Sequence, residues 1–521
     1  MIENENTYAK ALANNSLDEF HKNFDQAINE VEKELGRDYP MIINGKEILS
    51  DDKFAVSLPT DRSICFANFP HAKKEDVNLA IESAKKAFPE WSNFLYPKRV
   101  QIFRDCAETL SKIKFKLAAI LCFENGKNRL ESIGEIDETI DFLRFYADQL
   151  EINEGFIKKT KSVTQNEKTQ SVLKPYGVWG VIAPFNFPSA IAIGMTTGAL
   201  ITGNTVVLKP SDKAPVSSFK FVETIYKKIP TGAINFVTGH GIAVGKMIVE
   251  SNLIDGFAFT GSLEVGLSAF KKINEEIPKP VISEMGGKNP TIVTKSADLD
   301  KATDGVLRAA FGYGGQKCSA CSRVYVHNSI AQEFKDKLVQ KTKQLKIGIP
   351  WKKDVFLGPV INEDAKKKYE HAIELAKKDG KILCGGRVLK DSIYQNGNFV
   401  EPTVVSDLSE NHELVKKELF LPFLCVQEYE NFDDAIKMAN NIKFGLTAGI
   451  FSEDKEQIEK FFNSIQAGVT YANRAASATT AASPQSQPFV GWKGSGISGK
   501  GSGGPYYLQQ FMREQTQTVC E

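Results

Sequence analysis

The chain has 521 residues, of which 42% are hydrophobic and 25% charged, and a formal net charge of +1. That length accommodates two or three domains around a large core. The balance of 65 basic against 64 acidic residues excludes a bulk electrostatic case for binding nucleic acid or an anionic membrane.

The chain starts with the acidic, polar Met-Ile-Glu-Asn-Glu-Asn, and no apolar run reaches the roughly eighteen residues of a membrane span. We therefore expect a soluble, cytoplasmic protein. The eight cysteines are dispersed, so reduced thiols are the expectation rather than a disulfide framework. None of the six histidines pairs with cysteines at metal-ligand spacing, and no metal is expected.

Residues 20–35 form an amphipathic, Lys/Glu-rich stretch, and Tyr39-Pro-Met-Ile-Ile-Asn-Gly-Lys after it reads as a short strand with a turn. Together they describe a packing arm without chemistry. From residue 73 to about 148 the period is helical, with Val77, Ala80, Ile81, Ala84, Ala87 and Phe88 on one apolar stripe. Trp91 and Arg99 within it read as core or surface residues. Residues 153–175 break this pattern with scattered charges, as expected of a hairpin available for subunit contact.

An apolar strand starting at Val178 ends at Pro184, and two prolines then bracket Asn186 in a loop at the strand's carboxyl end, where open α/β sheets place ligands. A small-residue helix (190–200) follows, and then a strand ending in Lys209 and Asp212, which completes a parallel βαβ unit. Gly239, Gly241 and Gly245 precede a further helix in a pattern close to a dinucleotide fingerprint, though its last spacing is one residue too long. The next strand ends in Thr260, Gly261 and Ser262 ahead of helix-start signals, a ready seat for phosphate.

Glu284 closes another apolar strand before two glycines, as a solvated strand end or as a base held in a cleft. Beyond it, strands near 291, 323, 404, 423 and 449 alternate with Lys/Glu-rich helices around 331–345, 364–378 and 432–440, a second α/β unit.

Residues 310–323 read Ala-Phe-Gly-Tyr-Gly-Gly-Gln-Lys-Cys-Ser-Ala-Cys-Ser-Arg. The glycines describe backbone too tightly bent for a Cβ, presenting the Cys318 thiol at the tip. Lys317 beside it is expected to favour the thiolate. Cys318 and Cys321 also make a Cys-x-x-Cys, but a redox pair normally opens a helix in a small βαβ domain, and this one follows a glycine loop far into a long chain.

Seven motifs in order carry a resemblance: Pro184-Phe-Asn-Phe-Pro, Lys209-Pro-Ser, Phe259-Thr-Gly-Ser, Glu284-Met-Gly-Gly-Lys, Gly315-Gln-Lys-Cys, Glu418-Leu-Phe-Leu-Pro and Pro488-Phe-Val-Gly-Trp. Nearly the whole chain resembles the NAD(P)-dependent aldehyde dehydrogenase superfamily. Within it, the Cys318 segment, Tyr471-Ala-Asn-Arg and Gly503-Gly-Pro-Tyr-Tyr-Leu look most like the 1-pyrroline-5-carboxylate (glutamate γ-semialdehyde) dehydrogenase group.

The resemblance implies two parallel-sheet Rossmann-like α/β domains and a small β oligomerisation extension. It divides the chain into an NAD-binding domain (1–152 and 176–286), a catalytic domain (287–490), and an oligomerisation hairpin and tail (153–175 and 491–521). It implies a homo-oligomer, a dimer or larger. Cys318 is implied as the nucleophile, Asn186 as the oxyanion donor and Glu284 as the base for the hydrolytic water.

For the cofactor, the resemblance implies Lys209 and Asp212 at the adenine ribose, Gly241, Gly245 and Ser262 with Thr260 and Gly261 around the pyrophosphate, and Glu418 with Phe420 at the nicotinamide ribose. A carboxylate at the ribose hydroxyls repels a 2′-phosphate, so NAD is expected, with NADP as the alternative.

The substrate residues implied are Phe187, Lys317, Ser319, Thr480, Ala481, Ala482 and Phe489. The group's late loop carries Thr-Gly-Ala, whereas this chain reads Thr480-Ala481-Ala482 further from Asn473, and Leu421 and Val490 stand where glycines are usual. The expected substrate is a small carboxylate-bearing aldehyde, with glutamate γ-semialdehyde first and succinate or malonate semialdehyde next. Coenzyme A in place of water as acyl acceptor is a further alternative, opposed by the presence of Glu284. A retired, non-catalytic protein on this fold is the alternative from another class.

Overall fold

Strands buried on both faces read as continuous apolar runs, and Val178–Ile182, Thr205–Lys209 and Gly256–Thr260 are such runs. In the computed structural model, which describes residues 3–475 and 483–521, they lie side by side in a seven-stranded sheet. Its order is Val281–Glu284, Gly256–Thr260, Val178–Ile182, Thr205–Lys209, Ile234–Phe236, Met41–Ile43, Lys46–Ile48. The first five strands are parallel, and the last two form an antiparallel hairpin at the edge.

Chain order reverses beside Val178–Ile182, so the crevice outside the carboxyl ends opens there, next to the Asn186 loop. The glycine cluster differs slightly from its reading in the sequence. Gly241 is the first residue of the helix Gly241–Val249, and Gly245 lies a turn inside it.

A second seven-stranded sheet runs Lys381–Cys384, Thr403–Ser406, Phe423–Tyr429, Cys321–His327, Asn289–Val293, Thr447–Phe451, Val469–Ala472, parallel but for its first pair. The helices Ala331–Lys343, Glu363–Asp379 and Phe432–Asn440 fall where the charged periodic stretches lie. A third, antiparallel sheet joins Ile157–Lys159 and Glu167–Pro175 to Met512–Cys520. The hairpin is therefore completed by the end of the chain. Residues 491–502 pack back on the body instead: Ser495 Oγ donates to Gly286 O (2.7 Å), and Met285 N donates to Ser495 O (2.8 Å).

The 24-residue helix Arg129–Ile152 is capped by the Asn128 side chain, which accepts from Glu131 N at 2.9 Å. Such a cap stabilises a helix by about 1 kcal/mol. The N-terminal arm docks on this helix: Thr7 N and Oγ1 donate to the Asp137 carboxylate (2.6 and 2.7 Å), and Glu5 N donates to Asp141 (3.0 Å). The arm does no chemistry, but it braces the helix that forms one wall of the site. Trp91 is fully buried and its indole N–H donates to Leu200 O (2.9 Å), a core role. Among the described residues, no helix is long and apolar enough to cross a membrane.

Candidate active site

The helix Leu299–Phe311 ends in a tight turn, Gly312–Gly315, with φ of +50° at Tyr313, +63° at Gly314 and +65° at Gly315. A Cβ on Gly315 would lie 2.2 Å from Leu421 O, so backbone approach as well as φ demands glycine there. Gly287 is pressed in the same way: its Cβ would meet Cys318 O at 2.2 Å.

Asn289 fixes the loop from the neighbouring strand. Its Nδ2 donates to Cys318 O (2.7 Å) and Ala320 O (2.9 Å), while its Oδ1 accepts from Thr447 N (3.0 Å). Sequence reasoning passed over Asn289, because an asparagine at a strand start is an ordinary turn residue. The substitution Asn289→Ala strands the Cys318 and Ala320 carbonyls and the buried Thr447 N–H, at a cost of about 1–3 kcal/mol for each group left buried and unpaired. We expect a lower thermal midpoint together with a lower kcat; if both stay unchanged, the loop holds itself.

Cys321 begins the strand Cys321–His327, buried, with its sulfur 3.2 Å from Thr291 Oγ1. Both Cys318 and Cys321 are free thiols.

Cys318 and Ser319 open onto a narrow cavity of about 60 Å³ whose walls also include Glu284, Thr260, Phe187 and Phe489. Five of the residues named from the sequence thus join the cysteine around one space. Asn186, 3% exposed, is buried beside Phe187 in the loop after Val178–Ile182. That loop is held from several sides: Asn125 Nδ2 donates to Phe185 O (3.3 Å), Ser218 Oγ to Pro188 O (2.5 Å) and Ser189 N to Glu135 Oε1 (2.8 Å). Lys127, wholly buried and paired with Glu135, sits 3.5 Å from the centre of the Phe187 ring.

The sequence reading missed several wall residues, among them Glu138, Phe142, Met195 and Tyr507. The one available signal was the run Glu131, Glu135, Glu138, whose helical spacing places three acids on one face of a long helix. All three are largely buried, which solvated charges are not.

Burial dominates the electrostatics. It pushes the Cys318 thiol far up, with the negative charges of Glu418 and Glu284 adding to the shift. It also raises the Glu284 carboxyl well above its usual range, and Glu284 Oε2 is buried without a hydrogen-bond partner among the described residues. Glu138 is raised well above its usual range by burial and by the neighbouring charge of Glu135.

Lys317 does not play the part expected of it. Its ammonium is paired with Glu131 at 2.6 Å, and the residue is absent from the cavity wall. The buried carboxylate consumes the charge that was to favour the thiolate. Thr480, Ala481 and Ala482 lie outside the described residues.

Lys209 and Asp212, Gly241 and Thr260 to Ser262 lie at or beyond the carboxyl ends of strands of the first sheet, whereas Glu418 and Phe420 precede Phe423–Tyr429 in the second. Lys209 is 2% exposed, and its Nζ has one acceptor among the described residues, Pro210 O at 2.7 Å, leaving donors for ribose hydroxyls. Burial lowers its pKa to about 8, with Asp212 opposing the shift. Gly241 starts its helix with open space where a Cβ would be, so a ligand can approach the first amides.

Gly261 N donates to Glu284 O (3.2 Å), and Ser262 Oγ caps the helix Leu263–Ile273 by accepting from Val265 N (3.4 Å). Glu418 Oε1 accepts from Gly287 N (2.8 Å), and burial lifts its carboxyl to about 7. Phe420, at φ +61°, packs edge-on against Phe185 at 5.8 Å. A buried lysine with spare donors, an acid beside it and an unobstructed helix start together fit an adenine dinucleotide.

Comparison with known proteins agrees with this geometry. A model described as the aldehyde dehydrogenase family matches residues 48–517. A protein from Geobacillus sp. (strain WCH70) named 1-pyrroline-5-carboxylate dehydrogenase is 35% identical over 507 residues, 96% of each chain. Among solved structures, 1-pyrroline-5-carboxylate dehydrogenase from Thermus with bound NAD superposes with a TM-score of 0.91 at 32% identity, covering 96% of each chain. Proline utilization A from Bdellovibrio bacteriovorus superposes with a TM-score of 0.92 at 33% identity, over 97% of this chain and 52% of that longer one.

Proposed function

We infer the reaction from the premise that this chain belongs to the aldehyde dehydrogenase family. It is an NAD-dependent enzyme that oxidises an aldehyde to the acid, and the aldehyde we propose is glutamate γ-semialdehyde, the open form of 1-pyrroline-5-carboxylate. The observation that carries the substrate choice is the Glu138 carboxyl on the wall of a mostly apolar cavity that also holds Cys318 and Glu284.

Burial and the charge of Glu135 raise the Glu138 carboxyl well above its usual range, and a substrate ammonium is a group whose arrival favours its ionised form. Glutamate γ-semialdehyde brings that ammonium; succinate and malonate semialdehydes do not. The relatives named for 1-pyrroline-5-carboxylate support the same choice.

In the mechanism we propose, the Cys318 sulfur attacks the aldehyde carbon and forms a thiohemiacetal. The Asn186 side chain and the Cys318 backbone N–H hold the oxyanion, a contribution typically worth about 10²–10³ in rate per donor. NAD, when bound, supplies the hydride acceptor. Lys209 and Asp212 would hold its adenine ribose, the Gly241, Gly245 and Ser262 region its pyrophosphate, and Glu418 with Phe420 its nicotinamide ribose. Glu284 then removes a proton from the water that releases the acid from Cys318. Its Oε2, without a partner among the described residues, suits that task.

We further propose an NAD-binding domain (1–152 and 176–286) and a catalytic domain (287–490), with the oligomerisation extension formed by 153–175 and the strand Met512–Cys520. The nine-residue strand Met512–Cys520 leaves one edge of its sheet unpaired, which favours a homo-oligomer assembled along that edge. Eight free cysteines suit a reducing, cytoplasmic setting.

The test is an initial-rate screen of glutamate γ-semialdehyde against succinate and malonate semialdehydes with NAD. Glu138→Gln should lower kcat/KM for glutamate γ-semialdehyde by about 10- to 100-fold, the scale of a lost charged hydrogen bond. Succinate semialdehyde should change by less than about twofold, since it lacks the group Glu138 would meet. Equal losses on both substrates would remove the ammonium reading.

A further inference from the structure

At the adenosine end of the cradle, Asp212 does not stand unopposed. His240 Nδ1 lies 3.4 Å from one of its carboxylate oxygens, and Lys213 Nζ lies 3.7 Å from the other. Lys209 ends the strand that leads into Asp212. His240 immediately precedes the helix Gly241–Val249, and its ring is held from behind. It stacks on His71 at 5.7 Å and 18°, and His71 packs in turn on Phe54 at 5.0 Å. A ladder of three rings thus delivers an imidazole to the carboxylate, with the His240 side chain still 78% exposed.

We propose that His240 is a cofactor-specificity residue. By engaging Asp212 together with Lys213, it turns a position that a lone carboxylate would reserve for a ribose hydroxyl into one that also accepts a 2′-phosphate, so the enzyme binds NADP as well as NAD. The proposal rests on the dinucleotide reading of this site. An isolated carboxylate repels a phosphate dianion, whereas basic groups around it offset that repulsion and donate charge-assisted hydrogen bonds. The ring stack limits the entropy lost when the imidazole makes such a bond.

The experiment compares two adenine nucleotides by calorimetry near neutral pH, ADP and adenosine 2′,5′-bisphosphate, on the unaltered enzyme and on His240→Ala and His240→Arg. Initial rates with NAD and NADP run in parallel. His240→Ala should weaken the bisphosphate by roughly three- to tenfold, as befits an exposed hydrogen-bonding contact, and leave ADP nearly unchanged. His240→Arg should restore bisphosphate binding, which a merely structural role would not produce.

Equal weakening of both nucleotides, or no weakening of either, would overturn the role of His240. Failure of the unaltered enzyme to bind ADP or turn over NAD would instead overturn the cofactor reading beneath it. Retained ADP binding in His240→Ala shows that the site is still folded.

Discussion

Cys318→Ala lowers kcat/KM for aldehyde oxidation by about 10⁴-fold or more, the scale seen when an enzyme loses its nucleophile. The loss is this large because Cys318 is the one cysteine on the cavity wall among the described residues. Of its neighbours, Cys321 is buried against Thr291 and points into the strand layer. The loop that presents Cys318 is held through main-chain atoms, by Asn289 on its carbonyl and by the close approach of Gly287. Removing the sulfur therefore leaves the loop intact, and the thermal midpoint and NAD affinity should stay near their starting values. Steady-state NADH production with a fold check decides the matter: a folded variant that keeps even a hundredth of the activity removes covalent catalysis at this residue.

Glu284→Gln should cut steady-state turnover by about 10²–10³, within the usual range for a general base, and change the shape of the time course. The thioester forms before the base acts, so the first turnover survives and gives a burst of about one NADH per site before a slow phase. The pH profile carries a sign of its own. Burial raises the Glu284 carboxyl well above the usual carboxylate range, so its base form appears only as pH rises through that higher value. Hydrolysis should be slow on the acid side and climb with pH, and Glu284→Gln should flatten that limb. Coenzyme A added to the stalled variant tests the alternative acceptor: recovery of rate with release of an acyl-CoA would favour it, while no recovery leaves water as the acceptor. A full rate without a burst would take Glu284 out of the mechanism.

Much of the architecture was legible because it is written locally. Val178-Trp-Gly-Val-Ile and Thr205-Val-Val-Leu-Lys are apolar runs of strand length, and parallel pairing follows from the helix-length segment between them. Glycine at 314 and 315 marked the turn that presents Cys318, since left-handed backbone asks for it. The hairpin at 157–175 was also legible, although its third strand, Met512–Cys520, comes from the far end of the chain. Lys317 shows where local reading misleads. Its position beside Cys318 is a fact of sequence, but its charge belongs to Glu131, far back in the chain.

The sequence by itself determined the two α/β units and the order of their strands and helices, because periodicity and turn chemistry involve residues only a few positions apart, while the proposed roles of Cys318, Glu284 and Asn186 entered through the family resemblance. Tertiary structure alone decided that Glu138 and Tyr507 share a cavity with Cys318, that Asn289 holds the loop from the next strand, and that His240 meets Asp212. Those contacts join residues distant along the chain, and only the packing of sheets and helices into a common core brings their side chains within reach of one another.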